Sequence, residues 1–211
     1  MRILELFAGT GSVGKAAEEL GFEVISLDIT DRFSKIDILV NIFEWDYTCY
    51  QPKHFDIVWA SPPCSSFSAL QNCLIRTGKG GITREQLENR IYKEGLPLLM
   101  KALEIITYLQ PKYYFIENPQ TGRMKDFLKL PFVDLDYCKF GYVYRKRTRF
   151  WTNVPNLETH KCCKKSPCEA RGNNTKHPKT IGSKIKNPGL SLADRYSIPH
   201  KLVLYLLKSC I

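Results

Sequence analysis

Apolar positions in this 211-residue chain fall into short blocks separated by polar or glycine-rich stretches. Arg2 to Phe7 reads as a buried strand, Ala8 to Gly14 as a glycine-rich turn, and Val13 to Leu20 as a short helix closed by Gly21. Glu23 to Leu27 predicts a second strand ending in Asp28. A third, short strand should end near Val40-Asn41, and Asp56 to Ala60 is the fourth. Leu87, Ile91, Leu98, Ala102, Ile105 and Leu109 recur at helical spacing, which predicts a long helix within Arg84 to Leu109. Pro97 should kink it or start a second segment, because proline lacks the N–H that the preceding turn needs. Tyr113 to Ile116 is a fifth strand. Phe132 to Phe140 and Arg147 to Thr152, linked by Gly141, form a late strand pair, and His200 to Lys208 is a last helix after Pro199.

Strands alternating with helices argue for an α/β fold with a mostly parallel sheet covered on both faces, and the late pair for an antiparallel hairpin at one edge. The length fits one domain spanning 1–211. No apolar run reaches the ~18 residues of a membrane span. The N-terminus, with Glu5 early, lacks a signal-peptide layout. A soluble, intracellular protein is therefore expected, in which the eight cysteines are thiols, ligands or a nucleophile rather than disulfides.

Charge changes this picture. The net charge is +10, yet residues 139–186 alone hold 13 Lys/Arg against Glu158 and Glu169, a net of +11. Such a patch points to a polyanion, most simply nucleic acid; a solvated basic loop has the same composition. Two segments read as loops: 77–83, with three glycines, and 155–188, which is too long for a plain connection.

Three stretches carry candidate chemistry. In "LFAGTGSVG", Gly9 and Gly11 let the backbone approach a ligand, and Gly14 lets the helix pack closely. Asp28, ending the next strand, can accept hydrogen bonds from both hydroxyls of a ribose. The pattern suits a nucleoside cofactor without separating a dinucleotide from S-adenosylmethionine. In "FDIVWASPPCSSFSAL", an apolar strand stops at two prolines and Cys64. Carboxyl ends of parallel strands line the ligand crevice, and Glu117, in Glu117-Asn118-Pro119, ends the next strand. A thiol beside an acid suggests nucleophilic catalysis. An ordinary thiol, with a pKa of about 8.5, needs nearby positive charge to act at pH 7. In "HKCCKKSPCEARGNNTKH", His160, Cys162, Cys163, Cys168 and His177 supply enough thiols and imidazoles for a tetrahedral zinc site, although the spacing matches no common zinc-finger pattern. Cys49, Cys73, Cys138 and Cys210 read as core or surface thiols.

"FAGTGSVG", "SPPCSSFS", "ENP" and "RKRTRFW" stand in the order and spacing of the DNA cytosine-5 methyltransferases, and the chain resembles that family over most of 1–153. The resemblance implies a Rossmann-like methyltransferase fold with strand order 3-2-1-4-5-7-6 and an antiparallel seventh strand. It implies methyl transfer from S-adenosylmethionine to the fifth carbon of cytosine in DNA. Cys64 would add to the sixth carbon, and Glu117 would act at ring nitrogen 3. Arg147 and Arg149 would hold the base and the active-site loop, and the base would be flipped from its duplex. Phe7, Ala8, Gly9, Gly11, Asp28, Asn41, Ile42 and Pro62 would hold the cofactor. Ser65, Ser66, Lys164 and Lys165 would meet nucleic acid.

The chain also departs from the family pattern. Ser65 stands for the usual glutamine, Pro119 for valine and Asn41 for an acid. Residues 155–188, a basic Cys/His-containing insertion, occupy the place of a long target-recognition region. The usual Gly-Asn-Ser-Val segment near the C-terminus is missing, while "LSLADRYSIPHKLV" resembles the stretch before it. The chain thus resembles the compact form found in viruses and phages. RNA or a free nucleotide as substrate, or a non-catalytic nucleic-acid-binding role, remain the alternatives.

Overall fold

The computed structural model describes residues 1–75, 81–171, 176–178 and 190–211. Most of the 77–83 stretch, and 172–175 and 179–189 of the long loop, lie outside the described residues. Seven strands form one sheet: β1 (Arg2–Leu6), β2 (Glu23–Asp28), β3 (Ile38–Leu39), β4 (Ile57–Ala60), β5 (Tyr113–Pro119), β6 (Phe132–Asp136) and β7 (Arg147–Thr152). Their order is β3-β2-β1-β4-β5-β7-β6. β7 runs antiparallel to both of its neighbours and the other pairs are parallel. The predicted order and the single antiparallel strand are both found.

Strict alternation along the strands makes two cores. Ile3, Ile57, Trp59, Phe115 and Phe150 face one side. There they meet Val13, Ala16 and Ala17 of α1 (Ser12–Glu19) and Leu202, Val203, Leu206 and Leu207 of the C-terminal helix His200–Lys208. Leu4, Leu6, Val58, Ala60 and Ile116 face the other side, under the helices of residues 84–109. Trp59 is fully buried with its ring 4.9 Å from Phe115. Truncating such a residue costs about 3–5 kcal/mol. Gly14 explains how α1 sits so close: a Cβ there would meet Glu5 Oε2 at 3.1 Å and Val24 Cγ1 at 3.3 Å.

The long helix is built differently from the expectation. Thr83 and Gln86 form a reciprocal cap that starts α2 (Arg84–Arg90). A π-helical turn, Ile91–Gly95, then leads into α3 (Leu96–Leu109), with Pro97 in its first turn, where a missing N–H costs little. The wide turn adds one residue, so Leu99 rather than Leu98 joins the buried face. Two short helices had no periodicity to reveal them: α4 (Met124–Phe127) and α5 (Leu192–Tyr196). The C-terminal helix is α6. No helix among the described residues is long and apolar enough to cross a membrane.

Candidate active site

The rim at the carboxyl ends of β1, β2, β4 and β5 gathers the candidate residues. β4 and β5 pair in register up to Ala60↔Ile116, so the next residues, Ser61 and Glu117, stand side by side. The proline turn after β4 is clamped from both flanks. The Ser61 N–H donates to Leu6 O (3.2 Å), and Asn118 Nδ2 donates to Pro62 O (3.0 Å). The Trp59 indole N–H donates to Ser61 Oγ (3.0 Å). Beyond Cys64 the chain doubles back. The N–H groups of Phe67 and Ser68 donate to Cys64 O, at 3.1 and 2.8 Å, and Arg123 N–H donates to Phe67 O (2.8 Å). This fold-back presses Ser66 and Phe67 against Gly95, where a Cβ would lie 2.8 Å from side-chain carbons of both. The π-turn glycine is thus the packing surface for the cysteine loop. Such turns are common at functional sites.

Cys64 is half-buried. Burial raises its thiol pKa above the ordinary value, the Lys146 ammonium opposes this, and the Glu117 charge adds to it. Glu117 is buried. Its Oε1 accepts the Tyr137 hydroxyl (3.2 Å) and lies 3.6 Å from Lys146 Nζ. Lys146 in turn sits over the Tyr137 ring, 4.7 Å from its centroid. Among the described residues no hydrogen bond reaches Glu117 Oε2, which leaves that oxygen for a ligand.

The two arginines expected to hold the base and the active-site loop lie on the face of β7 away from Glu117. Arg147 is exposed. Arg149 makes a forked contact with Asp134 on β6, at 2.7 and 3.0 Å, and lies 3.5 Å over the Phe132 ring. The reason is strand alternation: Asn118 stands opposite Arg149 in the β5–β7 register and Glu117 opposite Phe150, so the arginine side chains leave by the face away from Glu117. Lys146, just before β7, holds the cation position instead. Sequence reading missed it because it belongs to a run of four cations, Arg145, Lys146, Arg147 and Arg149.

The glycine turn carries three left-handed residues, Phe7 (φ 58°), Gly9 (φ 51°) and Gly11 (φ 63°). The Asp28 carboxylate accepts Gly9 N–H (2.9 Å) and Thr30 N–H (3.0 Å), which ties the end of β2 to the turn. A Cβ at Gly9 would meet nothing nearer than Phe7 O at 3.9 Å, so the ground before it is open. Ala8 is buried and its N–H bonds Leu27 O. Two cofactor candidates are revised: the Ile42 side chain is buried in the core, and Asn41 Oδ1 is used locally, accepting Phe43 N–H (3.1 Å). Pro62 is buried at the clamp described above. Ile29, which follows Asp28, is two-thirds exposed, an apolar surface at the rim that sequence reading passed over.

Of the residues expected to meet nucleic acid, Ser65, Lys164 and Lys165 are exposed. Ser66 is buried with its hydroxyl toward Glu94, which removes it from that set. The basic region is partly spent inside the fold. Asp134 pairs with Arg149 and Lys161, Asp136 with Arg145, and Glu117 with Lys146. Among the described residues, no ion pair holds Arg147, Lys164, Lys165 or Lys176. Lys179, Lys184 and Lys186 lie outside the described residues.

The Cys/His set also changes. Ligand-type atoms of Cys138, Cys162, Cys168 and His177 all lie within 4.8 Å of one another. Cys138, read from sequence as an ordinary thiol, is a member. His160 and Cys163 are not. His160 pairs its backbone with β6 and packs its ring edge-on to Phe140 and Tyr205. Cys163 is exposed. Cys138 was hidden by distance, since all of β7 lies between it and Cys162.

The chain matches the family described as C-5 cytosine-specific DNA methylase over residues 1–126. It is 40% identical over 220 residues to a probable DNA (cytosine-5)-methyltransferase of Frog virus 3 (isolate Goorha), covering 100% of both chains. Among solved structures it is similar to a variant of Spodoptera frugiperda DNMT2, at a TM-score of 0.48 and 17% identity, over 86% of this chain and 56% of that one. It is also similar to a putative DNA modification methyltransferase encoded in an Escherichia coli prophage, at a TM-score of 0.48 and 14% identity, over 72% and 46%. The chain spans about half the length of these two structures. The matched block runs from the glycine turn through the Cys64 and Glu117 strand ends, and the viral relative aligns end to end: the chain belongs to the C-5 cytosine-specific DNA methylase family.

Proposed function

We propose that this chain methylates the fifth carbon of cytosine in DNA, with Cys64 as covalent nucleophile and Glu117 acting at ring nitrogen 3. The observation that carries this reading is the pairing of Cys64 and Glu117 at neighbouring strand ends with the Lys146 charge acting on both. The Cys64 thiolate forms a bond to the sixth carbon of the ring. Electron density moves toward the fifth carbon, and Glu117, acting in its protonated form, donates a hydrogen bond or its proton at nitrogen 3 and so stabilises the charge that develops there. Once the fifth carbon carries the methyl group, a base, water included, takes its proton, the electron pair of that C–H bond re-forms the ring double bond, the carbon–sulfur bond breaks and the thiolate is restored. Lys146 keeps thiolate accessible against burial and orients the Glu117 carboxyl.

The turn and strand ends fit S-adenosylmethionine. The open ground at Gly9 admits a ligand against the backbone, and each Asp28 oxygen retains a lone pair for a ribose hydroxyl. Phe7, Ala8, Gly9, Gly11 and Asp28 would hold the nucleoside, Ile29 would cover its base, the 41–42 backbone would border it, and Pro62 would back the sulfonium end. When bound, the cofactor supplies an electrophilic methyl group. Residues 155–188 stand in for a target-recognition region, with Ser65, Arg147, Lys164 and Lys165 toward the DNA.

Incubation with methyl-labelled S-adenosylmethionine and duplex DNA, RNA or free cytosine nucleotides tests the reading. Label should enter the fifth carbon of DNA cytosines and be lost in Cys64→Ala, while calorimetry on that variant still shows cofactor binding. Labelling confined to RNA or nucleotide would overturn the substrate, and binding of a nicotinamide dinucleotide instead would overturn the cofactor.

A further inference from the structure

We propose that Cys138, Cys162, Cys168 and His177 form a structural zinc site that fastens the basic loop to the β6 edge of the sheet. The ligand atoms already have the spacing of a coordination shell. His177 Nε2 lies 3.6 Å from Cys162 Sγ and 3.2 Å from Cys168 Sγ. Bonds of about 2.3 Å to sulfur and 2.0 Å to nitrogen on a tetrahedron put ligands roughly 3.5–3.8 Å apart. All three thiols are free. Three buried thiols and one half-buried imidazole in a compact cluster suit zinc, which is tetrahedral with sulfur and nitrogen ligands in structural sites.

The surroundings argue the same way. Cys138 comes from the turn after β6, and the other three come from the loop, so a metal would tie two separate segments together. Among the described residues, the three cysteines and Ala170 make up an apolar cluster of their own, apart from the two main cores. The supporting shell is in place. Asp136 Oδ2 accepts the Cys162 N–H (2.8 Å) and Arg145 Nε–H (2.7 Å). Lys139 closes the knuckle by donating to Ser166 Oγ (2.7 Å) and Pro167 O (3.0 Å). Arg145 and Arg171 bring positive charge to a set whose three thiolates exceed the charge of one zinc ion. Lys164 and Lys165 project from the same knuckle, between Cys162 and Cys168. A consequence, resting on the DNA reading, is that the metal sets how they are presented.

The test uses the full chain purified from zinc-supplemented medium, with no DNA present, so its outcome is separate from that of the methylation assay. Elemental analysis should find about one zinc per chain. Exchange into cobalt(II) should give thiolate charge-transfer and tetrahedral ligand-field bands. Cys138→Ser should lose the metal, while Cys163→Ser and His160→Ala should keep it. If Cys138→Ser fails to fold, alkylation of the wild-type chain decides: Cys138, Cys162 and Cys168 should become reactive together when a chelator is added, with Cys163 reactive from the start. Metal-free protein whose thiol reactivity ignores the chelator overturns the site. So does metal that is lost from Cys163→Ser and kept by Cys138→Ser.

Discussion

At Cys64 two influences oppose each other: burial raises the thiol pKa and the Lys146 ammonium lowers it. Lys146→Ala removes the main influence that opposes burial and the Glu117 charge, so the thiol pKa rises further and the thiolate fraction falls. Below the pKa, each unit of rise removes about nine-tenths of the thiolate. The kcat of the variant should therefore fall near pH 7, and the deficit should shrink as pH climbs toward the thiol pKa. Lys146→Arg should recover most of the activity, and Arg147→Ala should leave the pH profile in place. An equal loss at every pH would reduce Lys146 to packing. At this scale the strand-end residues were legible, because an apolar run that stops at Pro-Pro-Cys or at Glu-Asn-Pro marks its own rim. The choice of cation was not legible. It depends on which face of β7 a side chain leaves by, and only the β5–β7 register decides that.

Among the elements, the π turn at Ile91–Gly95 is the part that helical periodicity missed, since a single added residue changes the buried face without changing composition. Its consequence is local and testable. Gly95→Ala would place a methyl group 2.8 Å from carbons of Ser66 and Phe67, closer than such atoms can sit. The cysteine loop has to move, at a cost of about 1–3 kcal/mol for overpacking. Denaturant melts should show that loss, and kcat should fall while cofactor affinity is retained, because the glycine turn is on other strands. Unchanged kcat and stability would mean that the loop is not seated on this turn. Most β-strands were readable to within about two residues, but β5 runs on through Glu117-Asn118-Pro119, and the strand expected over Phe132 to Phe140 stops at Asp136, where a 3-10 turn, Tyr137–Phe140, takes over. The helices α4 and α5 were too short to show a period. Membership of Cys138 in the Cys/His cluster was invisible because a hairpin, not sequence proximity, brings it there.

Over the whole molecule, charge is divided between structure and surface. Asp134 and Asp136, just outside the basic window, absorb Arg149, Lys161 and Arg145, so the patch open to a polyanion is smaller than its net of +11. Four exposed cations, each meeting one phosphate, give a slope of log affinity against log salt of about −3.6 on duplex DNA, and each lysine of 179–186 that joins adds about −0.9. Lys164→Ala with Lys165→Ala should flatten the slope by about 1.8 and weaken all sequences alike, because phosphate contacts position rather than specify. A flat salt dependence in the wild-type chain would point to a free nucleotide as substrate.

The central claim is covalent catalysis by Cys64, and trapping tests it most directly. A duplex with 5-fluorocytosine at its methylation sites lets methyl transfer occur, but fluorine cannot leave as a proton, so the carbon–sulfur bond cannot break again. With S-adenosylmethionine present, the wild-type chain should form a DNA adduct that survives denaturing electrophoresis and maps by mass spectrometry to the peptide carrying Cys64, and Cys64→Ala should form none. An adduct on any other residue, or an alanine variant that methylates at the wild-type rate, would contradict the account.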